Sequence, residues 1–256
     1  MLAISTFMTG KTPYKNVLVN DLILDKDGKK MSKSKGNTVD PFALFDQYGA
    51  DVLRWYLLYV SPPWVPTRFD VEGLKEVQSK FFGTIKNVYN FFVLYANTDD
   101  INPREFYVEP KDRAELDCWI LSKFNRLKQE VEQDLAVFEV TKVVRNIQDF
   151  VNEDLSNWYI RRSRRRFWET GLTEDKKSVY NTTYEILVEL SQMIAPFAPY
   201  LSEEMYHNLT GKLSVHLSTY PVCDETMLDT ALEEKMDLVK NLVTLGRASR
   251  EKVKIK

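Results

Sequence analysis

The 256-residue chain has a formal net charge of −2 and is 44% hydrophobic, so it can bury a sizeable core, and any attraction to a polyanion must come from local clustering of charge. Cys118 and Cys223 lie far apart without paired spacing, which excludes a disulfide framework and points to a reducing, cytoplasmic compartment, and two histidines beside them are too few for a zinc site or a recognisable triad. No apolar run approaches the roughly 18 residues a membrane helix needs, and the amino terminus lacks the pattern of an export signal.

In chain order, YKNVLVNDLIL (Tyr14 to Leu24) is rich in β-branched and aliphatic residues and runs into an Asp27-Gly28 turn, which predicts a strand entering a loop. Asp40 and Pro41 then read as the cap and first residue of a short helix that stops at Gly49, and ADVLRWYLLYV reads as a second helix ending against Pro62 and Pro63. From Asp70 the periodicity changes. Val71, Leu74, Val77, Phe81, Ile85, Val88, Phe92 and Tyr95 recur at spacings of three and four, which predicts a long amphipathic helix.

A loop from Asn97 to Pro110 separates this from AELDCWILSKFNRLKQEVEQDL, and a break near Phe138 leads into EVTKVVRNIQDFVNEDLSNWYIRRSRRRFW, both helix-periodic. Further helices are expected from about Asp175 to Ile194, from the Pro-bearing break to Gly211, and after Thr230, whose pairing with Glu233 suggests a capping box. The expected fold is mainly α: a helical bundle preceded by a short α/β remnant, since a lone strand cannot make a parallel sheet and the first forty residues read as part of something larger.

Two basic segments stand out. Lys26, Lys29, Lys30, Lys33 and Lys35 fall within ten residues interleaved with serine and glycine, a composition suited to polyphosphate because ammonium groups are mobile point charges and small residues let a backbone close over a ligand. The competing reading is a solvated surface turn. The second segment carries Trp158, Tyr159, Arg161, Arg162, Arg164, Arg165 and Arg166; guanidinium groups contact phosphates and aromatic faces stack on unpaired bases, a pairing suited to a single-stranded RNA loop.

On a wheel of about 100° per residue, the stripe Val140, Val143, Val144, Ile147, Val151, Leu155 and Trp158 shares its azimuth with the arginines that follow. Either the helix outruns the bundle and offers arginine to RNA, or its phase breaks and Ile160 and Phe167 take over packing. A structural role, pairing with Glu153, Asp154 or Glu169, competes with the RNA role for each arginine.

The letters Lys30-Met31-Ser32-Lys33-Ser34, extended as DGKKMSKSKGNTVDP and followed by GADVLRWYLL and DLSNWYIRRSRRRFW, resemble the class I aminoacyl-tRNA synthetases and within them the isoleucyl branch, over essentially the whole chain. The resemblance implies a Rossmann-like catalytic domain whose edge with the lysine loop is residues 1–48, a stem-contact connector at 49–74 and a helical anticodon-binding domain at 75–256. It implies that Lys30 and Lys33 neutralise the departing pyrophosphate during ATP-dependent isoleucine activation, that Met31, Ser32 and Ser34 complete the phosphate-binding loop, and that isoleucine-accepting tRNA is the partner. One such charge stabiliser is typically worth on the order of a hundredfold to a thousandfold in rate.

ATP and Mg2+ are implied for the full-length enzyme, with none expected on this chain alone and no membrane partner. The family's His-Ile-Gly-His-like tetrapeptide is absent from the sequence, so the chain reads as an excised piece without isoleucine-dependent pyrophosphate exchange. A valyl or other class I relative, or a helical protein-interaction module carrying a lysine loop, are the alternatives.

Overall fold

The computed structural model describes residues 1–254. The helices are α1 (Leu2–Thr9), α2 (Pro41–Tyr48), α3 (Ala50–Val60), α4 (Val71–Val77), α5 (Thr84–Thr98), α6 (Glu115–Ala136), α7 (Val140–Asp149), α8 (Arg161–Trp168), α9 (Glu174–Ile194), α10 (Pro199–Thr210) and α11 (Thr230–Lys252), with two strands, β1 (Ile23–Leu24) and β2 (Thr67–Arg68). The fold is mainly α, as expected. One hydrophobic core runs from Leu44 of α2 to Leu209 of α10 and Leu232 of α11, so the helices from α2 to α11 contribute to a single interior.

The strand expected over Tyr14 to Leu24 shrinks to Ile23–Leu24, which pairs in parallel with Thr67–Arg68. The reason is the lack of a neighbour: a β-rich run forms a ladder only where another backbone lies alongside. Here β2 offers two residues, and Val17, Leu18, Val19 and Leu22 are left exposed.

Asp40 caps α2 by accepting from the Phe42 amide, with Pro41 in the first turn, and Gly49 ends it at φ 88°, both as the sequence predicts. The long helix predicted from Val71 is α4 and α5 joined by a π-helical stretch at Gln78–Gly83, along which Leu74, Val77, Phe81, Ile85, Val88 and Phe92 stay buried. Gly73 is required by packing, because a Cβ there would lie 2.5 Å from Tyr56 Cε2. The Tyr56 hydroxyl in turn accepts from the Asp70 amide at 2.9 Å and so ties the segment after β2 to α3.

The capping box expected at Thr230 and Glu233 is corrected. Asp229 caps α11 by accepting from the Leu232 amide, while Glu233 is drawn inward to Ser122 and to Arg126 Nε at 2.6 Å. A buried carboxylate with two donors gains more there than at a helix end, where an acidic side chain is wetted.

Helix α3 is bound at both ends. Asp51, on its first turn, accepts from the Tyr200 and Leu201 amides at 3.4 and 2.8 Å, capping α10 from outside that helix. Arg54 donates to the Pro196 and Phe197 carbonyls at the end of α9 at 3.1 and 3.3 Å, and Arg145 of α7 donates to the last α3 carbonyls, Tyr59 and Val60, at 2.9 and 2.8 Å. Inside, Trp55 stacks on Phe81 with centroids 3.8 Å apart and donates to Gln148 Oε1.

Replacing the Asp51 cap tests this arrangement. Asp51→Ala leaves two α10 amides without a partner and should cost about 1–2 kcal/mol by urea unfolding. Asp51→Asn should recover part of that loss, because its side-chain oxygen can still accept.

Candidate functional site: a lysine loop and an arginine helix

The lysine loop is built in two stages. Asp25 starts a tight turn in which its Oδ1 accepts from the Asp27 and Lys29 amides at 3.1 and 2.7 Å, while Gly28 sits at φ 79° where a side chain would be strained. Leu24 and Lys30 then face each other in an isolated antiparallel bridge. The second stage is a short helical turn, Lys33–Lys35, closed by Gly36 at φ 66°.

Asn37 joins the two stages. Its Oδ1 accepts from the Ser32 amide at 2.9 Å, and its Nδ2 donates to Asp25 Oδ2 at 2.7 Å and to the Lys30 carbonyl at 3.3 Å. Ser32 and Ser34 share a hydroxyl–hydroxyl hydrogen bond of 2.8 Å, and Met31 packs partly buried against the core. The backbone is therefore fixed by neutral and carboxylate groups, which leaves the ammonium groups uncommitted. Among the described residues none of the five lysines forms an ion pair, and Lys30 and Lys33 are both exposed. Arg68 of β2 adds a further cation: a Cβ on Gly28 would stand 3.2 Å from its Nε.

The arginine segment divides sharply. Between α7 and α8, residues Phe150–Ile160 wind as a π-helix, so a run of buried positions at intervals of four, Ile147, Val151, Leu155, Tyr159, Ser163 and Phe167, stays on one face. The wheel's prediction that the arginines share the core azimuth fails for that reason. Ile160 and Phe167 pack inward, and Arg161, Arg162, Arg164 and Arg165 turn outward and are exposed.

Tyr159 and Arg166 do not belong to an RNA surface. Tyr159 is fully buried and donates to Asp117 Oδ1 at 2.6 Å; burial and then the Asp117 charge push its phenol well above the ordinary value. Arg166 pairs bidentately with the same carboxylate at 2.7 and 2.6 Å and reaches Asp175 as well, a set of bonds that raises its already high proton affinity against the opposing effect of burial. Its partners are neither Glu153, Asp154 nor Glu169. Trp158 is also mostly buried, 8% exposed, with the Arg162 guanidinium 3.6 Å from its ring centroid. No face of Trp158 is open for a base.

Comparison with known proteins follows the same division. Residues 117–256 match the family described as the anticodon-binding domain of tRNA ligase, and residues 1–68 match the class I tRNA synthetases (I, L, M and V). The chain belongs to the anticodon-binding tRNA ligase family. Among its curated relatives, the isoleucine–tRNA ligase of Porphyromonas gingivalis is 46% identical over 255 residues, covering 99% of this chain and 22% of that protein. That of Clostridium novyi is 47% identical over 262 residues, covering 100% and 25%. The chain thus spans about a quarter of the length of these relatives.

A ternary complex described as LeuRS–tRNA–LeuAMS from Agrobacterium radiobacter K84 superposes with a TM-score of 0.68 at 20% identity, covering 89% of this chain and 27% of that one. The methionyl-tRNA synthetase of Mycobacterium tuberculosis gives 0.58 at 20% identity, covering 72% and 36%. These two likenesses establish the shared helical fold of the ligase family.

Asn37 and Asp25, which hold the loop, escape a reading based on charge, although an Asp three residues before a glycine and an Asn directly after one are turn signals. The hydrogen bonds from Asn37 and the Lys29 amide hold the Asp25 carboxyl below its ordinary 3.8. A depressed carboxylate stabilises the folded loop above that ordinary value and loses its contribution as pH falls below it, through the lowered folded value. Asn37→Ala should therefore move the Asp25 titration midpoint upward toward 3.8, measured by carboxyl carbon NMR.

A second pair of variants separates the two kinds of arginine. Arg166→Gln leaves Asp117 buried without its cation and should destabilise by about 3–5 kcal/mol. Arg165→Gln should stay within about 0.5 kcal/mol of the parent in the same urea titration.

Proposed function

We propose that this chain is the part of an isoleucine–tRNA ligase that supplies the phosphate-clamping loop and the helical grip on tRNA. The observation that carries the reading is the set of five ammonium groups without ion-pair partners among the described residues, held on a loop whose backbone the Asp25–Asn37 bracket defines. Charge gathered and left unneutralised is suited to charge that arrives during a reaction. The assignment to isoleucine rests on the relatives near 46% identity.

In the reaction proposed, the isoleucine carboxylate attacks the α-phosphorus of ATP, the bond to the β-phosphate oxygen breaks, and pyrophosphate leaves with the displaced electron pair. Lys30 and Lys33 face that pyrophosphate, and the Ser32 and Ser34 hydroxyls donate to its oxygens. Gly36 and the exposed turn before it let the loop close and reopen. Mg2+ enters with the nucleotide; the loop's own contribution is ammonium and hydroxyl groups, since Asp25 is occupied by Asn37 and two amides. Residues 1–48 serve the nucleotide, 49–74 join, and 75–256 receive tRNA through Arg161, Arg162, Arg164 and Arg165. Among the described residues no helix is long and apolar enough to cross a membrane, and charging of tRNA belongs in the cytoplasm.

Labelled isoleucine- and valine-accepting tRNAs titrated with the chain at two salt concentrations test the proposal. Isoleucine tRNA should bind more tightly, with an affinity that falls linearly in log–log form as salt rises. Tighter binding of valine tRNA would move the chain to another amino acid, and salt-independent or undetectable binding would end the RNA reading.

A further inference from the structure

With Trp158 and Tyr159 buried, the aromatic partner that the sequence places beside the arginines is gone from the surface. Another aromatic stands at the far end of the same helix. Trp168, the last residue of α8, is 53% exposed, and its indole N–H has no hydrogen-bond partner among the described residues, unlike those of Trp55 and Trp158.

The helix brings Trp168 and the outer arginines to one face. Arg161–Trp168 is regular α-helix, and Arg161, Arg164, Arg165 and Trp168 recur at intervals of three and four, which places them side by side over about 10 Å of axis. All four are exposed, and among the described residues none of the three arginines makes an ion pair or a side-chain hydrogen bond. Glu169, four residues after Arg165, accepts from Thr173 Oγ1 at 3.2 Å instead.

The indole is held from beneath. Its ring meets Tyr95 of α5 with centroids 6.3 Å apart, Tyr95 leans on Phe91 at 4.8 Å, and Phe91 meets the fully buried Phe167 edge-on at 5.1 Å. The backbone on both sides of Trp168 is fixed as well. Phe167 precedes it, and the Glu169 carbonyl that follows accepts from Lys176 Nζ at 2.6 Å, a buried ammonium paired with Asp99 at 2.7 Å.

A single exposed tryptophan is ordinary on a protein surface, and three free guanidinium groups alone would take any phosphate. Together on one face they ask for a ligand that offers a flat ring and phosphates within one short reach. A nucleotide whose base has left its stack does so, whereas a duplex keeps its ring faces sealed between neighbours.

We propose that Trp168 is the stacking platform for an unpaired base of tRNA, with Arg161, Arg164 and Arg165 contacting the phosphates that flank that base. This rests on the tRNA reading above and moves the aromatic half of the site from Trp158 and Tyr159 to the opposite end of the arginine run.

The test titrates labelled isoleucine tRNA, and separately a blunt RNA duplex without unpaired bases, with the 256-residue chain as the parent, Trp168→Ala, Trp168→Phe and the triple variant R161Q/R164Q/R165Q, across a salt series. Circular-dichroism melts check that each variant folds. Trp168→Ala should weaken tRNA binding on the order of tenfold at every salt concentration with the salt slope unchanged, since no cation is lost, and should leave duplex binding as it was. Trp168→Phe should recover most of the affinity. The triple variant should weaken both RNAs and flatten the slope by about 0.7 for each single-strand phosphate contact removed. Tryptophan emission of the parent should be quenched by tRNA, and most of that quenching should vanish in Trp168→Phe.

Parent-like tRNA affinity in a folded Trp168→Ala, while the triple variant weakens, would overturn the platform and leave the tRNA reading intact. Equal losses on tRNA and duplex in Trp168→Ala would make the indole a support for the arginines and overturn base stacking. Should Trp168→Ala melt early, the emission experiment decides, because quenching of equal size in the parent and Trp168→Phe would overturn the platform. A parent without salt-sensitive affinity for tRNA would overturn both readings.

Discussion

Helix α3 is the member on which the arrangement depends, because each of its terminal contacts uses a backbone group that a helix end leaves without a partner. Asp51 satisfies amides of the first turn of α10, Arg54 satisfies carbonyls after α9, and Arg145 satisfies carbonyls closing α3 itself. Hydrogen bonds of this kind fix both the rotation and the axial position of a helix, whereas apolar packing alone tolerates sliding by a turn. Since α2 and the lysine loop precede α3 directly, the loop inherits its position from the α9–α10 corner, far away in sequence. The loop can remain locally soft while its anchor is rigid.

A similar logic holds the long connection between α5 and α6, which would otherwise be an expensive structureless loop. Asn181 of α9 accepts from the Val108 amide and donates to the Pro103 and Phe106 carbonyls, and Arg113 reaches the Val108 carbonyl, Thr182 and both oxygens of Glu185. Buried polar residues on a bundle helix thereby fix the path of a loop. A buried ion pair such as Arg113–Glu185 adds little net stability compared with apolar packing, but breaking one member is costly, so the contribution is mainly to a single path for the chain.

The helices were legible because their buried positions carry apolar residues at intervals set by the winding, and the caps at Asp40, Gly49 and Gly211 carry their own side-chain or backbone signals. The winding itself was not legible. Buried positions at intervals of four through Val151, Leu155 and Tyr159 fit a slightly drifting α-helix as well as a π-helix, and only the second rotates the arginines outward. Arg165 and Arg166 are neighbours of one residue type with opposite fates, decided by Asp117, whose place across the bundle no local spacing encodes. The strand was over-read because β-propensity describes a residue's fitness for a sheet and not the presence of a neighbour to pair with. Asn37 was missed because its work is done through a neutral amide amid conspicuous charge.

The two basic segments differ in the chemistry of their cations and in the stiffness beneath them, and the difference is consistent with two kinds of phosphate. Under the proposed function, lysines on a glycine- and serine-bearing loop would follow a phosphate that changes position and charge as a bond breaks, and would release it on reopening. Arginines on α8 are held by a helix whose register Phe167 and the Arg166–Asp117 pair determine, so their spacing is set before any ligand arrives. A polymer with phosphates at fixed intervals rewards such preorganisation, since less side-chain freedom is lost on binding. Removing the Arg166–Asp117 bond would thus disturb the outward arginines without touching one of them, which makes a buried ion pair part of how an exposed surface is shaped.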